Sequence, residues 1–328
     1  MPAIAAGGGI ACIVEAAFDL ALDYYRKGWI LDLRPYLTDE RRKLMIEEQW
    51  KARTYPDDGA IVCNGTVLSE PLLLTLYNPK QLEAARSQPA TMDDPWNWDK
   101  MIENAKLLTL DANGKHLGED GFDKANVVQW GFLPRLENEK VYEWGFWFAQ
   151  QAQGKPVVRL EDGKWGWYLN DRAKEVYKKF LTVIDEGVTP DLAIGLGGDT
   201  LHQAFVDGKA SLILRETFAI PIIHDNYPDF EIGAMPVPFE KGDKVLYQAG
   251  GECMVLVKSC DHPAESADFM FWMMEPENLA PYAYGNGMLP ANYAALDVEP
   301  LASDPAWRIV KDYLARGQVV SVPYNQYW

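Results

Sequence analysis

The stretch from Asn170 to Phe218, NDRAKEVYKKFLTVIDEGVTPDLAIGLGGDTLHQAFVDGKASLILRETF, decides the fold. Asn170 is placed to cap a helix in which Ala173, Val176, Tyr177, Phe180, Leu181 and Ile184 recur at helical spacing before Gly187 stops it. A second amphipathic piece, with Leu201, Ala204 and Phe205, ends at Gly208. The apolar run Ala210 to Leu214 follows at once, with the length of a buried strand. Helices in direct succession with buried strands argue for α/β layers, in which helices cover a sheet.

The same alternation extends outward. Residues 13–27 put Ile13, Ala17, Leu20, Ala21 and Tyr24 on one helical face ended by Gly28, so a helix is expected there. Leu72 to Tyr77 is an apolar run of strand length, closed by Asn78-Pro79. Asn97 can cap a helix carrying Trp98, Met101, Ile102, Ala105 and Leu108, and Glu161-Asp162-Gly163-Lys164 reads as a hairpin turn. Ile232 to Val237 and Met254 to Val257 read as further strands. Asp261 and Pro263 open a helix containing Ala267, Met270, Phe271 and Met274. A chain of 328 residues suits two domains, and no internal repeat is visible.

The net charge of −17, from 48 acidic against 31 basic residues, repels phosphate backbones and anionic headgroups. Nucleic acid is therefore excluded as an expected partner, and neutral or cationic ligands are favoured over anions. No apolar run approaches the roughly 20 residues of a membrane helix. The residues after Met1 lack the features of a signal peptide, so the targeting segment of an exported protein is expected outside this stretch.

Cys12, Cys63, Cys253 and Cys260 show no metal-binding spacing, the four histidines are scattered, and no metal or cofactor is expected. With a strand between them, Cys253 and Cys260 stand about 20 Å apart, beyond disulfide reach, and both are expected as buried free thiols. No nucleophile elbow, zinc helix or P-loop is present. Gly7-Gly8-Gly9 and Gly195-Leu196-Gly197-Gly198 read as loops. The pairs Asp93-Asp94 and Glu161-Asp162 read as solvated acids, and His202 and His224 as structural. What stands out is aromatic content: 12 Trp, 16 Tyr and 12 Phe, with a dense block at Trp144-Gly145-Phe146-Trp147-Phe148.

Six phrases in order make the chain resemble the extracellular solute-binding proteins of ABC importers, in the sugar-binding group to which maltose-binding proteins belong. They are Tyr77-Asn78-Pro79-Lys80, Pro95-Trp96-Asn97-Trp98-Asp99, Phe205-Val206-Asp207-Gly208-Lys209-Ala210 with the strand to Phe218, Gly250-Gly251-Glu252, His262-Pro263-Ala264-Glu265-Ser266-Ala267, and Gly287-Met288-Leu289-Pro290. The resemblance implies an α/β, two-lobed periplasmic-binding-protein fold, each lobe a mixed sheet flanked by helices. It places lobe one at 1–70 and 252–318 and lobe two at 71–251 and 319–328. Relatives carry a further strand and helix before this stretch and further helices after it.

The resemblance further implies a non-enzymatic protein that captures a mono- or oligosaccharide, closes on it, and docks as a monomer on permease subunits. It would work in the periplasm or on the outer face of a membrane. A carbohydrate-active hydrolase, or a binder of a polyol or peptide, are the alternatives. A pyranose offers an apolar C–H face and a rim of hydroxyls, so flat rings and acceptors make its site. The positions that match are Trp144, Phe218 and Trp328 for stacking, with Trp147 a further ring; each also suits a core. Glu70, Glu216, Glu252 and Asn286 are the polar candidates, and Gly250 and Gly251 permit close backbone approach.

Overall fold

The computed structural model describes residues 11–65, 72–135, 140–190, 198–241, 243, 246–249 and 251–321. The chain divides into two compact units, one of Met1–Leu72, Tyr247–Trp307 and Val319–Trp328, the other of Leu73–Leu246 and Arg308–Gln318. In chain order the elements begin with β1 (Ile13–Ala17), α1 (Phe18–Arg26), α2 (Asp39–Arg42), α3 (Glu47–Ala52), β2 (Asn64–Gly65), β3 (Leu73–Tyr77) and α4 (Pro79–Ala84). They continue with α5 (Trp98–Leu108), β4 (Leu110–Asp111), β5 (Val127–Pro134), α6 (Lys140–Gln153), β6 (Val158–Glu161), β7 (Lys164–Trp167) and α7 (Asp171–Asp185). The remainder are α8 (Gly198–Val206), β8 (Ala210–Glu216), α9 (Ala219–Asn226), β9 (Gly233–Met235), β10 (Leu246–Ala249), β11 (Glu252–Leu256), α10 (Pro263–Trp272), α11 (Pro276–Asn286), α12 (Pro305–Arg316) and β12 (Gln318–Ser321).

In the second unit the caps form as the side chains dictate. Asn97 and Asn170 accept hydrogen bonds from the amides of Lys100 at 2.9 Å and Ala173 at 2.8 Å, opening α5 and α7. Five strands lie in the order β4-β5-β8-β3-β9. β5 runs parallel to β8, with Trp130 opposite Ala210 and Pro134 opposite Leu214, while the other pairs are antiparallel. Every residue of β8 is buried, which is why Ala210–Leu214, polar only at Ser211, does not alternate between apolar and polar. One face of the sheet, with Leu73, Phe132, Leu212 and Leu214, packs against Trp98 and Met101 of α5, Phe148 of α6 and Phe180 of α7. The β6–β7 turn places Asp162 at φ 50° and Gly163 at φ 72°, the pair of positive angles a tight hairpin requires. Residues 308–318 group with this unit, unlike the boundary read from sequence, because the buried Tyr313 hydroxyl accepts a hydrogen bond from the Val237 amide at 2.8 Å.

In the first unit the three-stranded sheet β1-β11-β2 is antiparallel throughout, and β10 pairs with β12 in a separate two-stranded sheet. The helix expected over 13–27 is instead strand β1 followed by α1. Ile13 to Ala17 pairs along its whole length with β11, Ile13 opposite Leu256 and Ala17 opposite Glu252. This ladder overrides a spacing that fits either periodicity over so few residues. α10 starts at Pro263 after His262, whose side chain makes no capping bond; Asp261 is not the cap.

Cys260 is not a free thiol, as expected from sequence, but is joined to Cys12 across 248 residues, with Cα atoms 4.7 Å apart. Antiparallel pairing explains it, since Cys12 directly precedes β1 and Cys260 lies just beyond β11, where the Val257 amide donates to the Cys12 carbonyl. Cys63 and Cys253 remain free and fully buried in one cluster, and burial, with the Cys63 thiol beside it, pushes the Cys253 thiol well up. A thiol reagent is therefore expected to find no reactive group in the folded, unreduced protein, two after denaturation, and four after denaturation with reduction. Replacing Cys12 by Ser is expected to lower stability by about 2–4 kcal/mol in denaturant titrations.

Candidate functional site

The register of the second unit's sheet brings particular residues to one edge. β8 ends at Glu216 beside Leu73, the first residue of β3, and β5 and β9 also end toward this side. The carboxyl ends of β5, β8 and β9 therefore share an edge, the location where open α/β sheets hold ligands. Here stand Arg215, Glu216, Thr217 and Phe218. Arg215 is 2% exposed and Glu216 8% exposed; their Nη1 and Oε2 atoms are 3.5 Å apart. The Arg215 guanidinium lies 5.1 Å from the centre of the half-buried Phe218 ring, in cation–π geometry. Burying an ion pair costs desolvation that Coulomb attraction alone does not reliably offset. Glu216 Oε2 and Thr217 Oγ1 are closed off from solvent and have no hydrogen-bond partner among the described residues, so a hydroxyl donor that reached them would find acceptor capacity.

A second polar edge lies within the first unit, where β1 ends and β11 begins. Phe18 donates its amide to the Gly251 carbonyl at 3.0 Å, and Gly251 takes φ 80°, a backbone region that L side chains avoid. Glu252 follows, exposed and opposite Ala17. Strand periodicity puts Glu15 on the same sheet face as Ala17 and Glu252. The Tyr282 hydroxyl of α11 donates to Glu15 Oε1 at 2.7 Å. Burial first, then the Glu15 and Glu252 carboxylates, raise the Tyr282 phenol above its ordinary range.

Of the residues singled out in the sequence, Glu216 and Phe218 meet at the first edge, and Gly251 and Glu252 at the second. Trp144 is 3% exposed and is built into the aromatic core of the second unit. Trp147 is half-buried beside that core, with its ring edge-on to Phe148 at 5.3 Å. Asn286 is exposed and donates its amide to the Tyr282 carbonyl at 2.8 Å, within its own helix. Glu70, Gly250 and Trp328 lie outside the described residues. Arg215, Glu15 and Tyr282 were missed. Only a strand reading of Ile13–Ala17 could have brought out Glu15, because its period of two pairs Glu15 with Ala17 on one face.

The family model described as bacterial extracellular solute-binding protein matches residues 3–309. An uncharacterised lipoprotein of Streptomyces antibioticus is 24% identical over 319 residues, which are 96% of this chain; the chain spans 64% of the length of that relative. The sugar-binding protein MalE of Xanthomonas citri superposes with a TM-score of 0.73 at 17% identity, over 100% of this chain and 76% of MalE. The maltotriose-binding protein of Thermus thermophilus, solved with maltotriose, gives a TM-score of 0.66 at 17% identity, over 98% of this chain and 77% of its own.

The Glu15–Tyr282 pair has a pH signature. With its folded-state pKa raised, the Tyr282 phenol contributes stability that is complete below the unfolded value of about 10 and declines as pH rises beyond it. Glu15→Gln is expected to let Tyr282 ionise at lower pH, measured as the tyrosinate absorbance that Tyr282→Phe lacks. An unchanged titration would show that the carboxylate does not hold the proton.

Proposed function

This chain belongs to the bacterial extracellular solute-binding proteins, and from that membership we propose that it captures a carbohydrate and delivers it to the permease of an ABC importer, breaking no bond. The observation that carries the carbohydrate assignment is the group at the end of β8. A ring suited to the C–H face of a pyranose stands beside a carboxylate and a threonine hydroxyl that retain acceptor capacity. The names of structural neighbours support the assignment, since one is a sugar-binding protein and another holds maltotriose. The net charge of −17 suits a neutral solute better than an anionic one.

The Cys12–Cys260 disulfide suits an oxidising, extracytoplasmic compartment, and the Streptomyces relative is a lipoprotein. Among the described residues no helix is long and apolar enough to cross a membrane. We place the protein in the periplasm or tethered to the outer face of a membrane, with permease subunits as its macromolecular partners.

A thermal-shift screen with mono- and oligosaccharides tests the assignment, because a solute present at 100 times its Kd adds about 2.7 kcal/mol to the native state. One sugar class is expected to raise Tm. Phe218→Ala and Glu216→Gln are each expected to weaken that solute tenfold or more by calorimetry, about 1.4 kcal/mol, while retaining the wild-type circular dichroism spectrum. A folded protein that responds to no member of the panel would falsify the assignment.

A further inference from the structure

The β6–β7 hairpin of the second unit pairs Val158 with Trp167 and Leu160 with Trp165. In an antiparallel ladder the members of a pair share a face, and alternate residues of each strand return to it. One face of the hairpin is therefore entirely apolar, made of Val158, Leu160, Trp165 and Trp167. The opposite face carries the Arg159–Glu161 ion pair, at 2.6 Å. The apolar face is turned outward: Leu160 is 54% exposed, Trp165 39% and Trp167 62%. Trp167 continues into a strip of rings, lying 5.0 Å from Phe146 of α6, which lies 5.4 Å from Tyr177 of α7.

We infer that this strip is a second carbohydrate-contact surface, on which a neutral glycan chain lies along Trp165 and Trp167; the inference rests on the reading of the solute as a carbohydrate. Size favours that occupant. A Trp side chain offers up to about 250 Å², so at these exposures the two indoles present roughly 250 Å² between them. A stable protein partner needs about 800 Å² on each side, whereas a sugar ring is matched by one indole face. Charge favours it as well, because the −17 of the chain disfavours anionic lipid and nucleic acid alike. The Trp167 ring already rests against Phe146 before any ligand arrives, which limits the ordering cost of binding there. Such a surface would keep a long glycan near the capturing protein without entering the site at the end of β8.

The test is electrophoresis through native gels cast with soluble starch, dextran, galactomannan or arabinoxylan, each mobility compared with that in a polysaccharide-free gel. The wild type is expected to be retarded in at least one gel. Trp165→Ala combined with Trp167→Ala is expected to abolish the retardation, the corresponding double Phe variant to keep most of it, and Glu216→Gln to leave it intact. Retardation in none of the four gels, or retardation that survives the double Ala change, overturns the inference. So does loss in Glu216→Gln alone, which would place the contact at the end of β8. Soluble oligosaccharides titrated in parallel separate the two readings: binding of these without retardation removes only the surface, and binding of neither removes the carbohydrate assignment itself.

Discussion

Strand β8 carries the second unit. It is hydrogen-bonded on both sides, parallel to β5 and antiparallel to β3, and both of its faces are covered. Such a strand has no access to water along its length, so apart from Ser211 its sequence is apolar until the last two residues. Arg215 and Glu216 then meet a severe constraint: they are charged, almost fully buried, and held at the end of a strand that is buried along its whole length. Their mutual contact and the Phe218 ring over the guanidinium partly compensate the lost hydration. A pair so placed adds little to stability on general grounds, which is consistent with its being kept for recognition at the strand's carboxyl end.

The first unit is organised by a different constraint. β11 is the central strand of a three-stranded antiparallel sheet, and β1 must pair along it fully for Cys12 to reach Cys260. The same register carries Glu15 toward Glu252 and under the Tyr282 hydroxyl. Covalent closure and polar edge are thus two ends of one ladder. A slip of one residue would send Glu15 to the opposite face and break the hydroxyl contact.

Aromatic residues illustrate how little composition says about function. Trp98, Phe148 and Phe180 pack against each other within 5.6 Å and form the second unit's core, with Trp144 enclosed in the same cluster. Trp50 and Trp307 are buried as well. Among the rings that face outward, Phe269 and Trp272 of α10 lie off the helical face of Ala267, Met270, Phe271 and Met274, so spacing separates them from the core, whereas nothing local marks Trp165 and Trp167 of the β6–β7 hairpin as exposed. A ring buried for packing and a ring offered to a ligand have the same sequence signature, since both need only be large and flat.

The sequence by itself determined the elements whose signals are local. The asparagine-capped helices α5 and α7, the Asp162-Gly163 hairpin and the apolar strands β3 and β8 depend on side chains bonding their own backbone or on the length of an apolar run. The ordered phrases likewise identified the family, because they record positions along the chain. Tertiary structure alone decided the strand at Ile13–Ala17, the Cys12–Cys260 bond, the burial of Trp144, and the contacts of Arg215 and Tyr282. Each depends on a partner distant in the chain, and the free energy of a ladder, a disulfide or a buried ion pair belongs to the pair rather than to either residue.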